Sequence, residues 1–155
     1  MSLVRWSDEY LVGDATIDSQ HRYLFDLINA FHEAFMASRS RKEVARLLNQ
    51  LTEYAETHFQ EEERLMRESG YPDAVEHHTI HEALYEQIYA LNARFEDRAL
   101  NPTYETVAFL RTWLTDHILK SDVAFGEYLR NRQHKGDVAE HSAPLTPQAQ
   151  DSPAD

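Results

Sequence analysis

Apolar residues recur at alternating steps of three and four along four long stretches of this 155-residue chain, the spacing of helices that bury one stripe. The first stretch carries His21, Leu24, Ile28, Phe31 and Phe35, with Asp18 as its candidate cap, and predicts a helix from about residue 18 to 36. The second carries Val44, Leu48, Leu51, Ala55, His58, Glu62 and Leu65 behind a Ser40–Glu43 capping box, and predicts a helix to about Arg67. Gly70 and Pro72 then stop it. The third opens on Asp73 and runs through Ala74, His77, His81, Leu84, Ile88, Leu91 and Phe95. The fourth, entered at Asn101-Pro102, carries Val107, Leu110, Leu114, His117, then Ser121 or Asp122, then Phe125 and Leu129, and is expected to reach about Arg132. Short connections between helices of this length predict an all-α, up-down-up-down four-helix bundle spanning residues 18–133. Residues 1–17 hold Trp6, Tyr10, Leu11, Val12 and Ile17 without helical periodicity and read as an ordered arm packed on the bundle. Residues 136–155, rich in proline, acids and small side chains, read as a disordered C-terminal tail.

The seams contain residues that ordinary cores do not. His21, His58, Glu62, His77, His81 and His117 all fall on buried stripes. An unpaired polar or charged group buried there costs several kcal/mol, on the order of 2–7. In an up-down-up-down bundle the start of the first helix, the end of the second, the start of the third and the later half of the fourth share one region. At 1.5 Å rise per residue, Glu62 and His81 each stand about 12 Å from the loop between their helices, so their levels agree. Metal ligation removes the burial cost, and the convergence predicts a metal site. His32, His78, His134 and His141 fall off the seams or in the tail and are read as ordinary surface histidines. One spacing is awkward: five residues separate His117 from Asp122, about 140° on a regular helix, so Asp122 reaches the site only if the helix carries a local π-type turn.

Composition narrows the metal. The chain has no cysteine, which excludes disulfides, thiolate sites and iron–sulfur clusters and leaves N and O ligands. Five imidazoles with two doubly bridging carboxylates and one bridging oxygen nearly fill two octahedral ions and leave one position open for a small ligand. A formal charge of −12 argues against nucleic acid and anionic membranes as partners. No long apolar run marks a signal peptide or membrane span, so the expected location is the cytoplasm, with no membrane insertion.

The series His21, His58-x-x-x-Glu62, His77-x-x-x-His81, His117-x-x-x-x-Asp122 resembles the hemerythrin family, and within it the single-domain bacteriohemerythrins. Its flanks agree: Asp18-Ser19-Gln20-His21 ahead of Leu24-Phe25, His58-Phe59 ahead of two Glu, and Trp113-Leu114-Thr115-Asp116-His117 ahead of Asp122. The resemblance covers residues 4 to 131. It implies a non-haem di-iron centre, bridged by oxide or hydroxide, that binds dioxygen reversibly. It assigns His77, His81 and His117 to one iron, His21 and His58 to the other, which holds the open position, and Glu62 and Asp122 to both. Leu24, Phe59 and Leu114 are the expected apolar walls of the ligand pocket, shielding the bound gas from protons.

The expected role is that of an oxygen carrier, store or delivery protein, not an enzyme, acting as a monomer with dioxygen as ligand and an oxygen-using enzyme as a candidate recipient. Two readings stand beside it: a sensing module for dioxygen or nitric oxide, and a di-iron enzyme with peroxidase or nitric oxide-reducing side activity. A ferritin-like oxidase fits poorly, because those sites pair Glu-x-x-His motifs and no Glu stands three residues before a His here.

Overall fold

The computed structural model describes residues 2–98 and 101–141, with side chains described to residue 133 and at 135. Helices α1 (Ala15–Met36), α2 (Arg41–Glu68) and α3 (Ala74–Glu96) are followed by α4 (Tyr104–His117), one π-helical turn (Ile118–Asp122) and α5 (Val123–His141). The backbone stays right-handed helical through the π turn, so α4 and α5 form one fourth rod. The described residues make an all-α four-helix bundle without strands. No helix among them is long and apolar enough to cross a membrane.

The helix ends follow local chemistry. Ser40 caps α2, its hydroxyl accepting the Glu43 amide at 3.2 Å. At the far end Gly70 takes φ 70°, and the amides of Gly70 and Tyr71 reach back to the carbonyls of Arg67 and Met66, closing a Schellman motif. Two starts differ from the sequence expectation. Helix α1 begins three residues earlier than Asp18 suggests, with Asp14 accepting the Ile17 amide at 2.9 Å. Asp18 instead turns back to the arm and accepts the amides of Val12 at 2.8 Å and Gly13 at 3.1 Å. In the fourth rod the cap is Thr103, in a reciprocal capping box with Thr106, two residues past Asn101. The rod also runs to His141, past the expected end near Arg132. Residues 142–155, most of the expected tail, lie outside the described residues.

Buried apolar side chains form two clusters. The larger holds Leu24, Ile28, Phe31, Leu48, Leu51, Phe59, Ile88, Leu110 and Leu114 with their neighbours. The smaller holds Val12, Ile17, Met66 and Phe125. The polar seam residues fall between the two on every rod: His21 between Ile17 and Leu24, Glu62 between Phe59 and Met66, and Asp122 between Ile118 and Phe125. A polar layer therefore replaces one layer of the core. The arm closes the lower end, where Val12 is fully buried against Gly126. Asn29 fastens the upper arm, accepting the Val4 amide at 3.0 Å and donating to its carbonyl at 2.9 Å.

Candidate metal centre

All seven seam residues expected at the site are buried. They form two groups of converging donors. Glu62, His77, His81, His117 and Asp122 make one, and His21, His58, Glu62 and Asp122 make the other. The two carboxylates belong to both, and each does so through different oxygens. Glu62 Oε1 lies 3.0 Å from His77 Nε2, while its Oε2 lies 3.0 Å from His58 Nε2. Asp122 Oδ1 lies 3.0 Å from His77 and 2.9 Å from His117, while its Oδ2 lies 3.1 Å from His21. Each acid turns one oxygen toward the group with three imidazoles and the other toward the group with two.

The five-residue gap on the fourth rod is taken up by the π turn. The extra residue brings Asp122 onto the same side as His117 and leaves Ser121 only half-buried at its edge. Asp122, not Ser121, joins the cluster of converging donors. On α2 the same task is done by a regular i, i+4 pair, His58 and Glu62, which are 3.0 Å apart.

Three observations test whether this donor set fits a metal. First, imidazole nitrogens approach one another: His21 and His58, His77 and His81, and His81 and His117 each bring Nε2 atoms to 3.0 Å. Rings whose Nε2 atoms converge at this distance need a proton or a shared metal ion between them. Second, the four carboxylate oxygens are buried and accept no hydrogen bond of good geometry. Third, the spacing suits octahedral ligation. Donors about 2.1 Å from an ion lie about 3.0 Å apart at right angles and about 3.4 Å apart in a tetrahedron. Five of the seven imidazole–carboxylate separations, at 2.9–3.1 Å, match the former, while His21 and His81 stand wider from Glu62, at 3.5 and 3.9 Å. The residues present fit metal ions held by two adjoining donor groups that have Glu62 and Asp122 in common.

The electrostatics agree. Burial pushes the His21 and His77 imidazoles down, but Asp122 and Glu62 outweigh it and raise them to about 10 and about 9. Burial and the Asp122 charge push Glu62 up, yet its imidazole neighbours hold it well below the usual carboxylate range. Asp122 is likewise lowered, against burial, chiefly by His117. The pocket holds two anions and favours positive charge between them. His81 is the exception: burial lowers it, with Glu63 opposing.

Two outer partners escaped the sequence reading. His58 Nδ1 donates to Gln20 Oε1 at 2.7 Å, and His81 Nδ1 donates to Glu63 Oε1 at 3.0 Å. These bonds place each Nδ1–H outward and aim the Nε2 lone pair at the site. Both residues lie beside a seam residue, Gln20 before His21 and Glu63 after Glu62, at positions whose periodicity reads as surface.

Leu24, Phe59 and Leu114 are all buried in the larger apolar cluster, at the upper side of the polar layer. Phe59 stacks on His81, with ring centroids 4.1 Å apart at 16°, and meets His117 edge-on at 6.0 Å. Its distance to the His58 ring is 5.9 Å. It therefore walls the three-imidazole group most closely.

Known proteins resemble the chain over most of its length. The chain is 32% identical over 130 residues to a bacteriohemerythrin of Methylococcus capsulatus, covering 83% of this chain and 98% of that protein. It is 31% identical over 130 residues to a bacteriohemerythrin of Stenotrophomonas maltophilia, covering 84% of each. A solved wild-type hemerythrin superposes with a TM-score of 0.75 at 30% identity, covering 81% of this chain and 96% of that one. With the hemerythrin HHE cation binding domain matched over residues 12–129, the chain belongs to the hemerythrin family.

Proposed function

We propose that this protein binds dioxygen reversibly at a pair of iron ions, as an oxygen carrier or store. The observation that supports the reading is that Glu62 and Asp122 each belong to both donor groups, one with three imidazoles and the other with two. His77, His81 and His117 would saturate one ion together with the bridges. His21 and His58 would hold the other and leave it a free position. An iron pair held there would supply reversible two-electron chemistry toward the gas. The chain's own part is to keep that exchange closed. Leu24, Phe59 and Leu114 exclude water above the donors, and Val12, Ile17, Met66 and Phe125 do so below.

Five imidazoles against two carboxylates set this site apart from the acid-rich centres of di-iron oxidases, which favours binding over oxidation of a substrate. The deciding experiment is optical. Protein loaded anaerobically with two equivalents of ferrous iron should develop visible charge-transfer bands in air, lose them on deoxygenation and regain them over repeated cycles. Bleaching that does not reverse, with turnover of an added reductant, would replace this reading with an enzymatic one.

A further inference from the structure

The two outer partners of the ligating imidazoles differ in charge. His58 donates to the neutral amide of Gln20, and His81 donates to the carboxylate of Glu63. A single Glu63 atom, Oε1, also accepts a second hydrogen bond, from Nδ1 of His78 at 3.0 Å. His78 belongs to neither donor group. Its side chain is 52% exposed and its Nε2 lies 3.3 Å from Glu82 Oε1. Glu63 is far less exposed, at 13%. Both contacts to its Oε1 come from imidazole Nδ1 groups, which donate to the carboxylate.

Local geometry explains the arrangement. Glu63 follows Glu62 by one residue, about 100° round the helix, so it leaves the seam sideways toward α3. His78 and His81 stand three apart on α3, which puts both donors on the flank Glu63 faces. A cleft of about 160 Å³ opens there from the surface onto Glu63, His78 and His81. A carboxylate that takes an imidazole N–H makes the opposite nitrogen a stronger donor and stabilises higher charge on whatever that nitrogen binds. An amide oxygen does the same far more weakly, because it carries no net charge.

We propose that Glu63 is a positioning residue that makes the ion held by His77, His81 and His117 the more easily oxidised of the pair, and that His78, through the shared oxygen, sets how much of the Glu63 charge reaches His81. The inference rests on the di-iron reading. It gives the two ions unequal roles through residues outside the ligand set. It also gives a surface histidine control over the centre without contact to it.

The test uses the full-length protein loaded with iron, with the midpoint potential followed by spectroelectrochemistry, and Co(II) affinity measured separately by chelator competition. Glu63→Gln keeps an acceptor for His81 and removes the charge. It should still bind two Co(II) per chain with affinity within about threefold of the parent, yet shift one ion toward the ferrous state by about tenfold, which is 59 mV for one electron. His78→Ala, at an exposed position, leaves Glu63 to His81 alone and should move the potential the opposite way. Glu63→Ala should weaken one of the two Co(II) equivalents by about 10–100-fold. A parent-like potential in Glu63→Gln, or a shift of the same sign in His78→Ala, would overturn the proposal while leaving the di-iron reading intact. A parent protein that fails to bind two metal ions would overturn both.

Discussion

Asp18 holds the floor of the metal layer in place, and removing its carboxylate should undock the N-terminal arm. The side chain is almost completely buried and its two oxygens take separate amides, Val12 at 2.8 Å and Gly13 at 3.1 Å. Each hydrogen bond to a charged acceptor contributes about 1.5–3 kcal/mol, and Val12, fully buried, has no water to replace the lost partner. Asp18→Ala should therefore cost about 3–5 kcal/mol, up to the limit set by the arm's own docking energy. At roughly 2–4 °C per kcal/mol for a domain of this size, the melting temperature falls by about 6–20 °C. Asp18→Asn, whose amide offers one acceptor in place of two, should lose about half as much. The assay is amide hydrogen exchange at Val12 and Gly13 beside thermal unfolding. Protection at those two amides should collapse while the α2 and α3 amides stay protected. Gly126→Ala gives an independent route to the same state. A Cβ there would lie 2.9 Å from the Val12 Cα and closer still to its carbonyl oxygen, both backbone atoms, so the arm must move. Both variants open the lower apolar cluster to water and should speed irreversible oxidation of the iron-loaded protein. Unchanged exchange at Val12 and Gly13 in Asp18→Ala would refute the reasoning, because the two Asp18 oxygens are the acceptors of those two amides.

Leu114→Ala should lower stability by about 2–5 kcal/mol in chemical denaturation, as for other buried leucines, and keep two iron equivalents while autoxidising faster than the parent. Equal autoxidation rates would show that Leu114 is packing alone. In the metal-free protein the folded pKa values of His21 and His77, about 10 and about 9, lie above the unfolded value near 6.5. Their stabilisation is complete below about pH 6 and is lost as pH rises through 9 to 10, whereas that of Glu62 and Asp122, whose pKa values are depressed, is present above about pH 4.5 and lost in acid. Urea midpoints of the metal-free protein should peak between about pH 5 and 8, and a flat profile from pH 7 to 10 would contradict the shared-charge account.

The site was legible in the sequence because ligands and core share one periodicity. His58 and Glu62 continue the stripe of Leu51 and Ala55 without a change of step, so finding the seam finds them. Where a ligand broke that step the break was itself informative: the five residues from His117 to Asp122 required a π turn, and one is present. The sequence reading failed where a residue's task lies off the seam. Gln20 and Glu63 occupy positions that a periodicity argument assigns to water, and only the neighbouring helices give them partners. Asp18 looked like a helix cap because its type suits one, but Asp14 suits equally, and the arm's return decides between them. The stripes also drift toward the C-terminal ends of α2 and α3, where Met66 and Asn92, each one residue later, are buried in place of Leu65 and Leu91. A stripe stepping by 3.5 residues lags a 3.6-residue helix by about 20° per heptad, and the lag grows with distance from the tightest packing. The ligands lie between the two apolar clusters, at the level where the stripe and the helix stay in phase. A metal pair needs donor positions held to a few tenths of an ångström, and that level of the bundle is where backbone geometry leaves side chains the least freedom to miss.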